Sequence, residues 1–229
     1  MGRFFDLDSP VMRVMSRVAD IIILNILVLI TSSLVITIGA SLSAMHYVLI
    51  KMVRNEENYI IKMYFKAFKD NFKQGTILWL IQLAVILVFV FDFYLMSHGG
   101  IVFPWFLVVG IFAIAVLAFM TAMYTFPLQA RFVNSVWGTL RNSFFIMILN
   151  FPKSILMLLV YCIPVLLFLL SSYAVPFLIM FGVTGPGLAA AYLYRKVFKR
   201  FEPEEEEVTS DMDFSVLEEE VVEDAKEAE

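Results

Sequence analysis

Long apolar runs separated by short charged segments set the pattern of this chain. Residues 21–50 are uncharged apart from His46, residues 101–130 are uncharged, and residues 154–194 carry no charge at all. A helix crosses a hydrocarbon layer about 30 Å thick with about 20 mostly apolar residues, at 1.5 Å per residue. As one helix, the run 154–194 would measure about 60 Å, so it must fold back. Ser171-Ser172-Tyr173, followed by Pro176, marks the corner. The run 21–50 would reach about 45 Å, more than one crossing and less than two. Gly39 interrupts it, followed by Ala40, Ser41, Ser43 and Ala44. Glycine weakens a helix, and small residues let helices approach closely. The pattern predicts an all-α, polytopic integral membrane bundle of about five transmembrane helices. The expected spans are 18–38, 76–96, 104–127, 154–171 and 174–194. A helix break is expected at Gly39, with residues 40–54 re-entrant or lying at the interface. Ser97-His98-Gly99-Gly100 reads as the turn of an antiparallel hairpin.

Two amphipathic helices are expected between the spans. In residues 58–74 the lysines fall at Lys62, Lys66, Lys69 and Lys73, while Ile61, Tyr64, Phe65, Phe68 and Phe72 fall on the other face. That spacing is helical and gives a basic stripe. Residues 133–149 form a second, more apolar helix, ended by Asn150-Phe151-Pro152. Residues 67–72 and 139–144 are similar, which hints at an internal duplication.

Composition agrees with the pattern. Apolar residues make up 61% and charged residues 17% of the 229 positions, which excludes a secreted disulfide scaffold, a disordered chain and an ordinary cytosolic enzyme. The charge is split. Residues 1–201 hold 16 Lys and Arg against 7 Asp and Glu, a balance of +9, and residues 202–229 hold 1 against 14, a balance of −13. A basic body on a membrane protein reads as cytoplasmic loops under the positive-inside bias. It offers no solvated basic domain for nucleic acid. The acidic stretch 202–229 is expected to be a disordered cytoplasmic tail. Basic residues at 51–75, 131–153 and 195–200 place those segments and the C-terminus in the cytoplasm of a bacterial cell. The N-terminus lies outside if one crossing precedes residue 51, and inside if a short return helix follows Gly39. Segment length favours the first and charge the second; residues 40–50 would reach only about 17 Å as a helix, so the outside placement is the expectation. The first apolar run starts too far in, and runs too long, for a cleaved signal peptide. Cys162 has no partner for a disulfide and no metal-ligand spacing around it.

The residues Thr37-Ile38-Gly39-Ala40, Lys51-Met52-Val53-Arg54 and Phe68-Lys69-Asp70-Asn71-Phe72-Lys73-Gln74 resemble the YesL family of bacterial integral membrane proteins, a family of unknown function. The likeness continues through Phe126-Pro127-Leu128-Gln129-Ala130-Arg131-Phe132 and on to Asn150-Phe151-Pro152. Thr37, Gly39, Asn71 and Phe72 carry it most visibly. The resemblance implies a polytopic protein of Gram-positive-type bacteria, often encoded near carbohydrate-uptake permeases. It implies no reaction and no catalytic residues.

Candidate chemistry is sparse. Ionisable and polar groups inside the membrane are functional candidates by default, and here they are His46, Gln82 and Asp92, with Asp20 at the start of the first span. Asp20 and Asp92 read as interfacial carboxylates, and His46 as a histidine bonded between helices. Asn25 and Thr31-Ser32-Ser33 read as helix-packing polars. Trp79, Tyr94, Trp105, Tyr173 and Tyr192 fall near the ends of spans, as interfacial aromatic anchors do. No metal cluster, phosphate loop or nucleophile elbow is present in the sequence, so no cofactor is expected and an enzyme is disfavoured. The basic stripe of Lys62, Lys66, Lys69 and Lys73, with Tyr64, Phe65, Phe68 and Phe72, is expected to meet anionic lipid or a membrane partner. The expected function is a non-enzymatic accessory or regulatory subunit of a carbohydrate permease. The alternatives are a small transporter in its own right, or a sensor signalling through its acidic tail at Thr209, Ser210 or Ser215.

Overall fold

The computed structural model of the protein describes residues 10–56, 59–98 and 103–201. Within them the order is α1 (Pro10–Thr31), a 3-10 turn (Val35–Thr37), α2 (Ile38–Val53), α3 (Ile60–Asp70), α4 (Phe72–His98) and α5 (Trp105–Arg131). Then follow α6 (Val136–Leu149), α7 (Phe151–Leu170), a 3-10 turn (Ser172–Ala174), α8 (Val175–Phe181) and α9 (Thr184–Phe198). There is no strand among the described residues. Five segments are long and apolar enough to cross a membrane: Val11–Thr31, Val35–Val53, Phe72–His98, Trp105–Arg131 and Phe151–Leu170. Ser172–Phe181 and Thr184–Phe198, bent by 54° at their junction, make a further span if counted as one. The chain is therefore an all-α polytopic membrane bundle. The acidic tail 202–229, Gly99-Gly100 of the hairpin turn and the start of the 58–74 helix lie outside the described residues.

Residues up to Arg195 form one compact unit. Its centre is α2, which packs on α1, α3, α4 and α5 and buries Ala40, Ala44, Val48 and Leu49 completely. The outer helices do the reverse. Phe112 on α5 is 71% exposed and Leu169 on α7 is 73% exposed. Apolar surface on this scale suits lipid contact.

The first hairpin departs from the expected layout. The chain breaks at residues 32–37, and not at Gly39, which lies inside the first turn of α2. Hydroxyls close the break. Thr37 Oγ1 donates to the carbonyls of Thr31 and Leu34, and Ser32 Oγ donates to Ser41 Oγ at 2.9 Å. Gly39 serves packing instead: a Cβ added to it would sit 2.0 Å from the Gly75 carbonyl oxygen of α4. The propensity cost of glycine, about 1 kcal/mol, is offset by the close α2–α4 approach that only a residue without Cβ allows. Residues 40–54 are no short re-entrant piece. Thr31 meets Ser41 at one end, and Arg17 reaches Met52 and Asn55 at the other, so α1 and α2 run antiparallel. The start of α1 thus shares an end with the basic residues Lys51 and Arg54, as the charge pattern favoured and segment length did not.

The later spans keep their order with shifted ends. The span expected at 174–194 is interrupted after Phe181. Pro186 has no N–H to continue the ladder back to residue 182. Residues 67–72 straddle the α3–α4 junction, whereas 139–144 lie within α6, so the suggested duplication is not a structural repeat.

Candidate functional site

Helix α3 is held down by one aromatic side chain. Ile60, Tyr64 and Ala67 are buried, at i, i+4 and i+7. The Tyr64 hydroxyl lies 2.7 Å from Ser41 Oγ and also bonds Thr31 Oγ1, and those two hydroxyls are 2.8 Å apart. Burial pushes the Tyr64 phenol above its ordinary pKa, so it keeps its proton as part of this ring. The ring of Phe68 stacks on Tyr64, and Phe72 meets Phe68 edge-on. Asn71 ends the helix by donating Nδ2 to the Ala67 carbonyl at 2.9 Å.

This geometry corrects the expected contact face. Tyr64 is an internal anchor, sealed from both lipid and partner. Ile61 and Phe65 are exposed beside Lys62, Lys66 and Lys69. Phe72 and Lys73 stand on α4, beyond the break at Asn71, so the lysine stripe is divided between two helices. The period was read one position out of phase because Ile61 and Phe65 are apolar yet face outward.

The C-terminus of α2 gathers charge. Asn55, in the left-handed region with φ 56°, closes the helix. Its N–H bonds the Met52 carbonyl, and the Glu56 N–H bonds the Lys51 carbonyl, which is a Schellman arrangement. Two arginines complete it. Arg17 of α1 donates to the Met52 carbonyl at 3.1 Å, and Arg195 of α9 donates to the Val53 carbonyl at 3.0 Å. Cations suit the negative end of the helix dipole. The Lys51 ammonium, bonded to Glu56, holds that carboxyl below its ordinary value of 4.5, with Arg54 and Arg131 adding to the field. A depressed carboxylate stabilises the fold above its unfolded pKa, and that contribution is lost as pH falls through the lower folded value. Because Glu56 is exposed, Glu56→Gln should cost no more than about 0.5 kcal/mol at pH 7. The difference from the parent should vanish as acid titration passes below 4.5, read from pH-dependent thermal unfolding in detergent.

Of the three expected intramembrane polar residues, two converge. His46 and Gln82 border one groove of about 850 Å³ among α2, α4, α5, α6 and α7, and Asp92 does not line it. His46 is nine-tenths buried or more, with Nδ1 3.1 Å from the Tyr194 hydroxyl. Trp79 also lines the groove, with its Nε1 buried, and so does not serve as an interfacial anchor. Trp105 and Tyr173, by contrast, are 78% and 95% exposed. Below the groove, Gln129 of α5 accepts from Ser43 at 2.7 Å and donates to the Asn71 carbonyl at 3.4 Å, tying α5 to α2 and to the end of α3. Among the described residues no three His, Cys, Asp or Glu side chains group in a way that could hold a metal ion.

Residues 21–93 match the family described as "Protein of unknown function, DUF624". The likeness covers that segment, about a third of the chain. YesL-type proteins are DUF624 membrane proteins, so the resemblance carried by Thr37, Gly39, Asn71 and Phe72 stands. No curated protein and no solved structure matches the chain. The DUF624 segment contains both glycines of the α2–α4 contact, the Tyr64 anchor, the lysines of α3, and His46 and Gln82. It stops in α4 before the hairpin turn, so Gln129, Tyr194 and Arg195, which complete its polar contacts, come from outside it. Neither arginine clamp could be read beforehand: Arg17 and Arg195 meet α2 across sequence separations of 35 and 142 residues. Trp79 and Gln82 carried a faint signal, since with Thr76 they recur every three residues on one helix.

Proposed function

We propose that the protein is a non-enzymatic accessory or regulatory subunit in a bacterial plasma membrane, docking a permease through the outward face of α3. One observation carries this reading. Lys62, Lys66 and Lys69 project from α3 together with exposed Ile61 and Phe65, while Tyr64 and Ala67 fix the helix from below. A helix locked on its inner side, with cations and apolar rings on its outer side, is a preformed docking element. The same face suits anionic lipid, at about 1 kcal/mol per lysine. The YesL resemblance points to a carbohydrate permease as the partner. Arg13, Arg17, Lys51, Arg54 and Arg195 at one end of the bundle support a cytoplasmic placement for that end and for the C-terminus. The transporter alternative draws no support from the groove at His46, whose walls are mostly apolar and ill-suited to a sugar.

The test is co-purification in mild detergent with a carbohydrate permease subunit. Changing Lys62, Lys66 and Lys69 together to Glu should weaken capture about a hundredfold, at about 1 kcal/mol per lysine lost. Capture that persists unchanged by this triple variant removes the mechanism. Loss of binding to anionic vesicles, with permease capture intact, reassigns the face to lipid.

A further inference from the structure

Trp79 and Gln82, which border the groove beside His46, carry donors that no described residue uses. Trp79 Nε1 and Gln82 Nε2 are both buried and lack a hydrogen-bond partner among the described residues, as does Thr76 Oγ1 one turn earlier on α4. Burying a donor without a partner is costly, and native folds rarely leave several on one helix face. Trp79 and Gln82 both border the 850 Å³ groove, and His46 lies across from them on α2. The rest of the wall is of another character, formed by side chains such as Val85, Ile86, Phe89, Ala118 and Phe144. Thr121 and Thr125 also line it, with their hydroxyls bonded to carbonyls of their own helix, and Tyr161 lines it too, so the unpartnered donors stand at one place in a mostly apolar trough.

The chemistry of the occupant follows. A sugar would leave most of its hydroxyls unpaired against these walls. A long apolar body with a hydrogen-bond acceptor at one end satisfies both parts. The groove also opens where the bilayer lies: Val85, Ile86, Val90 and Ile114 on its borders are about 40–60% exposed on helices that cross the membrane. We propose that the groove is a lipid site, in which a phospholipid acyl chain lies between α4 and α5 and its ester carbonyl accepts from Trp79 Nε1 and Gln82 Nε2. This assignment is independent of docking through α3.

The test uses the full chain in phosphatidylcholine vesicles containing a small fraction of phosphatidylcholine with a photoactivatable diazirine on its acyl chain. After illumination, labelled peptides are mapped by mass spectrometry. Labelling should concentrate on α4 and α5 around Val85 and Ala118, several-fold above more exposed apolar sites such as Ile30 of α1. Gln82→Leu should reduce groove labelling about fivefold, the loss of one hydrogen bond. It should leave thermal stability unchanged or raised, because the amide loses no internal partner. Ala118→Trp, which fills the trough, should reduce groove labelling at least tenfold without reducing labelling of α1. Labelling spread evenly over all outward apolar faces and unmoved by both variants would mean annular lipid only, and would overturn the assignment. Gln82→Leu that lowers stability would instead make the amide a structural group, and would overturn it equally.

Discussion

Replacing Gly39 by alanine is expected to abolish the folded bundle. The added Cβ would lie 2.0 Å from the Gly75 carbonyl oxygen and 2.7 Å from Trp79 Cβ. Neither obstacle is the free end of a flexible side chain, so relief requires α2 and α4 to separate. Overpacking a core costs about 1–3 kcal/mol where side chains can shift, and more where they cannot. Here the cost should be about 3 kcal/mol or greater, a large share of any protein's margin. The measurement is thermal unfolding and monodispersity in detergent. Gly75→Ala, whose Cβ would meet Ala40 N at 2.9 Å, should show a milder form of the same defect. Gly110→Ala on α5 is the control, since nothing lies within 4 Å of its Cβ. It should be neutral or stabilising by up to about 1 kcal/mol, from helix propensity alone. Equal behaviour of Gly39→Ala and Gly110→Ala would mean that the α2–α4 approach is not as close as described.

Asn25→Leu should be nearly as damaging, for an electrostatic reason. Asn25 is fully buried in α1 and faces the break between α8 and α9. Its Nδ2 donates to the Ile179 carbonyl at 2.7 Å, and its Oδ1 accepts from the N–H groups of Val183 at 3.1 Å and Thr184 at 2.9 Å. Thr184 Oγ1 stands 3.0 Å from the same oxygen and 3.2 Å from the Ile21 carbonyl, and its single proton serves one at a time. One side-chain amide thus pairs backbone groups left open at the 54° bend between α8 and α9. In a bilayer no water substitutes for it, and each orphaned group costs about 1–3 kcal/mol. Leucine keeps the volume and leaves three backbone groups unpaired, so a loss of about 3 kcal/mol or more is expected. Hydrogen exchange should rise at residues 179–184 before it rises elsewhere. Unchanged protection there would show that the break satisfies itself.

The membrane class was legible because it rests on one-dimensional quantities, run length and charge. Residues 76–96 fall inside α4 and 105–127 inside α5 for that reason, whereas Val35–Val53 was not expected as a span and 174–194 is a bent pair. The errors fall where a residue has two uses. Gly39 looked like a break and is a close contact, while the actual break is closed by Thr31 and Ser32, whose hydroxyls were read as packing groups, and by Thr37. Tyr64 and Phe65 are adjacent aromatics with the same local signal, and only the position of Ser41, 23 residues earlier, decides which is buried. The polar groups at His46 and Gln82 were visible singly, but their convergence depends on helix packing that no local pattern encodes. Asp92, read as an interfacial carboxylate, stands on α4 and does not line the groove.

The clamps on α2 and α1 have a consequence for biogenesis. The Val53 carbonyl waits for Arg195, and Asn25 waits for Ile179 and Thr184, partners that follow by 142 to 159 residues. A nascent chain emerging from the ribosome therefore holds Asn25 in the lipid as an unmatched amide until residues 179–184 have followed it. Products truncated before residue 179 should be unable to match this group, and would present membrane proteases with a local, chemically distinct mark of incompleteness.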